Sequence, residues 1–174
     1  MRYWFNGPYA GNRQFCERRV KTADRLVCKP VRLEWNNLQK TITKVALAYI
    51  FDAEDRVLIA KRPQSKHMGG FWEFPGGKLE HGESPLQAIQ REILEELAIE
   101  VAGTAVLASF SLRDGGELAF FPVVCQWLRG DIVLLEHDEY SFVALENLAH
   151  FDLAPADIIA AQRLINFLHA KPAK

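Results

Sequence analysis

The sequence predicts a two-layer or sandwiched α/β domain. Three observations carry that expectation. Short apolar, β-branched runs alternate with turn residues, two amphipathic helical stretches interrupt them, and both patterns begin only at residue 41. TITKVALAYIF (41–51) is apolar and β-branched, Asp52–Asp55 make a turn, and RVLIAKR (56–62) follows, so a strand, a tight turn and a second strand are expected. Ser84-Pro85 opens a helix: Ser caps, Pro suits the first helical position, and Gln87 completes a capping box. Leu86, Ile89, Ile93 and Leu97 recur three or four apart as its buried stripe. Strand-like runs at 100–112 and 117–128 are joined through Asp114-Gly115-Gly116, a hairpin signal, and a further strand is expected around 139–145. PADIIAAQRLINFLHA (155–170) reads as a closing amphipathic helix with Ile158, Ile159, Leu164, Ile165 and Leu168 on its buried side.

A length of 174 residues corresponds to about one domain. With 49% hydrophobic and 25% charged residues, collagen-like, disordered and disulfide-dense classes are excluded. The formal net charge of −1 conceals an asymmetry: residues 1–40 carry +6 and residues 41–174 carry −7. Two parts are therefore expected, a basic N-terminal extension (1–40) and a folded domain (41–170). The extension shows no sustained period of 2 or 3.6, and its Arg13, Arg18, Arg19, Lys21 and Arg25 are interleaved with Asn, Gly and aromatics. That mixture is compatible with nucleic-acid binding, but a disordered tail is the favoured reading. No apolar run approaches the ~20 residues of a membrane span, and the N-terminus lacks a secretory apolar stretch. Cys16, Cys28 and Cys125 are odd in number and form no C-x-x-C pair, so reduced thiols and a cytoplasmic location are expected, without a membrane partner.

The chemistry concentrates between Arg62 and Ile99. Glu92, Glu95 and Glu96 are spaced i, i+3, i+4 and share one helical face within an arc of ~100°. Like charges so placed repel by a few tenths of a kcal/mol per pair. They also occupy the second half of the helix, where the helix dipole disfavours anions. A bound divalent cation turns that cost into a gain, and hard oxygen ligands favour Mg²⁺ or Mn²⁺. Just upstream, Phe74-Pro75-Gly76-Gly77-Lys78 is a stiffened glycine loop of the kind that lets backbone approach a phosphate.

The spacing is more specific than either part. Gly77, five residues, Glu83, seven residues, Arg91-Glu92-Ile93, one residue, Glu95-Glu96, one residue, Ala98-Ile99: this resembles the Nudix box. One position departs, because the family has Gly where this chain has Ala98, a place that favours a left-handed turn. The run RPQSKHMGGFWEFPGGKLEHGES extends the likeness to the MutT-type branch, nucleoside-triphosphate pyrophosphohydrolases that include 8-oxo-dGTP-sanitising enzymes and (d)CTP-preferring relatives. The likeness spans roughly residues 42–168.

The resemblance implies a mixed β-sheet sandwiched between α-helices, a Mg²⁺ (or Mn²⁺) cofactor and a small nucleotide substrate. It implies that Glu92, Glu95, Glu96 and Glu136 bind metal with the Gly76 carbonyl, and that Glu92 activates the water. Glu83 and Arg91 match the family's structural ion pair. Arg62 and His67 match positions that contact phosphate and sugar, and Lys78 lies beside the phosphates. Glu73, Phe74, Pro75 and Gly76 line the nucleotide pocket, and Asp157 matches the residue that reads the base edge. Each has a plainer alternative: a surface histidine for His67, a solvated acidic loop for Glu136, a helix cap for Asp157. Trp72 and Phe71 read as core rather than base-stacking residues. A carboxylate at Asp157 suits guanine N–H groups or a cytosine amino group, so the base stays open, as does a monomer or homodimer. A non-catalytic nucleotide-sensing module is disfavoured, since every box carboxylate is present.

Overall fold

The computed structural model describes residues 20–22, 25–27, 42–113 and 117–170. The chain divides into two units, Met1–Gln39 and Lys40–Lys174. In the first, the described residues form a short antiparallel pair, β1 (Val20–Thr22) with β2 (Arg25–Val27). The reading of residues 1–40 as a basic extension and the Asp114-Gly115-Gly116 turn otherwise lie outside the described residues.

The second unit is built on β3 (Ile42–Ile50) and β8 (Glu117–Arg129), which run parallel from Ile42↔Glu117 to Ile50↔Cys125. The expected run at 100–112 is two strands, β6 (Glu100–Val106) and β7 (Phe110–Arg113). Both pair antiparallel with β8, β7 along its first half and β6 along its second. Pro122 sits at the changeover. Its carbonyl accepts from Leu107 N (2.8 Å), so its missing N–H faces the gap between β7 and β6, where no ladder bond is lost. A three-stranded antiparallel sheet has β4 (Val57–Lys61) between β5 (Trp72–Glu73) and β9 (Glu139–Val143).

β3 is buried on both faces, and its period of two divides it. Ala46, Ala48 and Ile50 pack with Ile89, Ile93 and Leu97 of α1 (Pro85–Leu97). Leu47 and Tyr49 pack with Ala160, Ala161 and Leu164 of α2 (Pro155–His169). β4 is split likewise, with Leu58 on the α1 side and Val57 and Ile59 on the α2 side. The strands thus lie between two helices.

α1 starts as expected: the Ser84 hydroxyl accepts from Gln87 N and Gln87 returns the bond to Ser84 N. Its stripe is shorter than expected, because Leu86 stands 37% exposed and Ala88 is buried instead. α2 departs further. Ile158 and Ile159 are exposed, and Ala160 and Ala161 take the core face. The Ala160 carbonyl accepts from the Tyr49 hydroxyl of β3 (2.8 Å), which fixes this face of the helix toward the core.

Candidate active site

The site grows from one stretch of extended chain, Phe74 to Leu79. Pro75 and Gly77 carbonyls accept from Ala48 N and Ala46 N (2.9 and 2.8 Å), and Leu79 N donates to Lys44 (2.9 Å), so the stretch is laced to β3. The intervening N–H groups point away from β3. Phe74 N donates to Asp157 Oδ1 of α2 (2.8 Å) and Gly76 N donates to Glu96 Oε2 of α1 (3.0 Å). Pro75 between them has no N–H to satisfy. One short segment therefore ties buried carboxylates from both helices to the sheet.

Two glycines make this possible. Gly76 has φ +142°, and a Cβ there would lie 2.3 Å from the Ala46 carbonyl oxygen. A Cβ at Gly77 would lie 2.3 Å from the Glu92 carboxyl carbon, so any side chain there would displace the Glu92 carboxylate. Arg91 fixes the helix to the same loop. It grips Glu83 with two bonds, Nε to Oε1 (3.1 Å) and Nη2 to Oε2 (2.9 Å), and donates to the Lys78 carbonyl (3.1 Å). Such two-pronged pairing defines orientation as well as distance. The guanidinium holds the Glu83 carboxyl below its usual range, aided by the Glu80 N–H.

A cleft of about 270 Å³ opens over this frame. Arg62, Pro63, Lys66, Glu73, Gly76, Gly77, Lys78, Glu92, Glu96, Glu136 and His137 line it. Arg62 donates to Glu73 Oε2 (2.5 Å) and to the His67 carbonyl (2.8 Å). His137 Nε2 meets the other Glu73 oxygen at 3.0 Å. Glu96 is buried, and its carboxyl is pushed up to about 8. Burial is the main cause and the Glu73 charge the next, with Glu92 and Glu136 adding and the Gly76 N–H opposing.

Of the residues expected at the site, Arg62, Glu73, Gly76, Lys78, Glu92, Glu96 and Glu136 are brought together at the cleft. Glu95 is not among its lining residues; its side chain is 57% exposed and 3.4 Å from Arg91. His67 is exposed on the adjoining loop and contributes its carbonyl to Arg62. Phe74 and Pro75 are buried behind the cleft wall. Asp157 does not cap α2: Ala154 is the cap residue, and the Asp157 carboxylate is spent on Phe74 N. Burial above all pushes its carboxyl up to about 8. Trp72 is partly buried against the core and meets Phe151 edge-on, whereas Phe71 is exposed rather than core.

Pro63, Lys66 and His137 also line the cleft and escaped the sequence reading; the last two carry polar chemistry. Lys66 Nζ lies 2.5 Å from Glu136 Oε2. His137 is buried with Nδ1 unpartnered, and its place beside Glu136 in LLEHDEY was the only signal.

Among the described residues, no three His, Cys, Asp or Glu side chains are gathered closely enough to hold a metal ion as they stand. The donor chemistry nevertheless fits one. Hard carboxylate oxygens of Glu92, Glu96 and Glu136 face one cleft, and two of them hold protein cations, Arg91 at 2.9 Å from Glu92 and Lys66 on Glu136.

A sheet held between two helices, with a glycine loop and a carboxylate helix converging on one acidic cleft, defines a hydrolase fold of known type. The family model described as NUDIX domain matches residues 41–164, and the chain belongs to that family, whose hydrolases generally use divalent metals. An 8-oxo-dGTP diphosphatase of Proteus vulgaris is 49% identical over 70 residues, 40% of this chain and 62% of that protein. The chain thus matches under two thirds of that relative's length. A CTP pyrophosphohydrolase of Escherichia coli K12 is 32% identical over 131 residues, 73% of this chain and 95% of that protein. The solution structure of the E. coli ORF135 protein superposes with a TM-score of 0.66 at 30% identity, covering 78% of this chain and 97% of that one.

Proposed function

We propose that this protein hydrolyses a nucleoside triphosphate to the monophosphate and pyrophosphate with Mg²⁺ as its metal, and that its substrate is an oxidised or modified (d)NTP such as 8-oxo-dGTP. The observation that carries the reading is the cleft itself. Glu92, Glu96 and Glu136 supply hard oxygens on one side, and Arg62, Lys66 and Lys78 supply positive charge around them.

A bound divalent cation supplies charge neutralisation and water activation. The chain's own groups do the rest. Glu92, Glu96, Glu136 and the Gly76 carbonyl would hold the cation, and Glu95, exposed on the same helix, would reach it only by changing rotamer. Glu92 takes the proton of the attacking water. The water oxygen bonds to phosphorus, the bond from that phosphorus to the oxygen bridging the α and β positions breaks, and nucleoside monophosphate and pyrophosphate separate. Arg62 and Lys78 hold phosphate oxygens, and His67 reaches the sugar–phosphate from the loop. The Glu83–Arg91 pair keeps loop and helix in register, so that positioning and charge carry most of the acceleration. Phe74 and Pro75 back the nucleotide pocket, and Asp157 would read the base edge with the carboxylate oxygen not bonded to Phe74 N.

A (d)CTP preference is the second reading. It is favoured by the CTP pyrophosphohydrolase relative, matched over 95% of its length. A substrate panel with Mg²⁺ decides: 8-oxo-dGTP, dGTP, CTP and methylated dCTP, scored by pyrophosphate release. At least tenfold higher kcat/KM for 8-oxo-dGTP is expected; preference for a cytosine triphosphate moves the protein to the second reading. No helix among the described residues is long and apolar enough to cross a membrane. Our reading of the location is cytoplasmic. We read residues 1–40 as a basic extension on a 41–170 domain. A nucleic-acid role for the extension is the disfavoured reading, and comparing salt-dependent binding of the full chain and of residues 41–174 tests it.

A further inference from the structure

We propose that Lys66 is a phosphate-binding residue, stored on Glu136 until a divalent cation takes that carboxylate. The inference rests on the functional reading above and deepens it. The two neighbouring arginines are more firmly committed than Lys66. Arg62 is held by Glu73 and by the His67 carbonyl, and Arg91 by Glu83, Glu92 and the Lys78 carbonyl. Both arginine side chains are about three-quarters buried (27% and 25% exposed). Lys66 and Glu136 instead stand 43% and 49% exposed, at the cleft mouth. A half-exposed pair of this kind is weakly held and exchanges partners at small cost.

The backbone under Lys66 is anchored. Lys66 N donates to Pro63 (3.0 Å) and Gly70 N closes the loop onto Arg62 (2.9 Å). The ammonium can therefore change partner while its stem stays at the cleft. Its three donors and compact charge suit a phosphate oxygen as well as a carboxylate. When Glu136 turns to the cation, Lys66 is left without its carboxylate at the moment a triphosphate brings new negative charge.

Opposite effects on two ligands distinguish this role from a structural one. In calorimetry on the full chain, Lys66→Met is expected to tighten binding of Mn²⁺ alone about two- to fivefold, because a competing cation is gone. The same variant should bind inorganic tripolyphosphate about tenfold more weakly once saturated with Mn²⁺. Lys66→Arg should restore tripolyphosphate affinity, and Glu136→Gln should weaken Mn²⁺. Mn²⁺ affinity that falls or is unchanged in Lys66→Met, or unchanged tripolyphosphate affinity, overturns the proposal. If the wild-type chain binds Mn²⁺ and hydrolyses triphosphates, such a result leaves the functional reading standing. A wild-type chain that does neither overturns both.

Discussion

Glu96 and Asp157 are the two carboxylates the fold treats most severely. Each is buried, each accepts one backbone N–H from the same short segment, and each carboxyl is raised to about 8, chiefly by burial. The sign of the consequence follows from linkage. Against an ordinary carboxyl near pH 4, the folded protein keeps protons that the unfolded chain has lost between about pH 4 and 8. Cation-free stability therefore falls as pH rises through that window and levels off above it. Asp157→Asn keeps an acceptor for Phe74 N and removes the titration. Its melting temperature with chelator present should fall less steeply from pH 5 to 8.5, and should exceed wild type at pH 8.5 by about 2–4 °C per kcal/mol recovered. Parallel melting curves for the two proteins would count against that assignment. At this scale the sequence was informative about residue type and less about placement. The carboxylate pattern pointed to the cleft, but Glu95 and Asp157 sit outside its lining, because helix rotation and tertiary bonds decide which side of a carboxylate meets solvent. Lys66 and His137 were invisible because their significance comes from neighbours 70 and 64 residues away.

Helix α1 shows how far local signals reach. Its capping box, proline start and box carboxylates were all legible, since each depends on residues within a turn or two. Its end was legible too. Ala98 adopts φ 56°, ψ 21°, the left-handed conformation that the sequence position calls for and that alanine resists. Ala98→Gly should therefore stabilise the protein by about 0.5–1 kcal/mol with activity unchanged, a thermal-melt shift of about 1–4 °C. A lower melting temperature would mean that Ala98 earns its place through packing. α2 was less legible. Its apolar residues are plentiful enough to define more than one face, and only contact with β3 selects Ala160, Ala161 and Leu164 over Ile158 and Ile159. The run at 100–112 likewise concealed a break at 107–109, where β8 changes partner from β7 to β6 around Pro122.

For the whole molecule, the charge asymmetry takes on a chemical meaning. The body's excess of acid includes Glu92, Glu96 and Glu136 in one cleft, so part of it awaits a cation. An acidic protein is then no obstacle to a polyanionic substrate, because the cation bridges them. The fold class was readable from periodicity, and the parallel β3–β8 pairing was not, since strand order depends on contacts between residues some 75 positions apart. Hydrolysis of a nucleoside triphosphate through metal-held carboxylates, as proposed above, is checked by phosphorus NMR of the products formed by the full chain with Mg²⁺, with Glu96→Gln alongside. Nucleoside monophosphate and pyrophosphate are expected in equal amounts, and the rate in Glu96→Gln should fall beyond the ~10–100-fold typical of losing a mere supporting partner. Release of orthophosphate and nucleoside diphosphate, or near-normal turnover in Glu96→Gln, would contradict it.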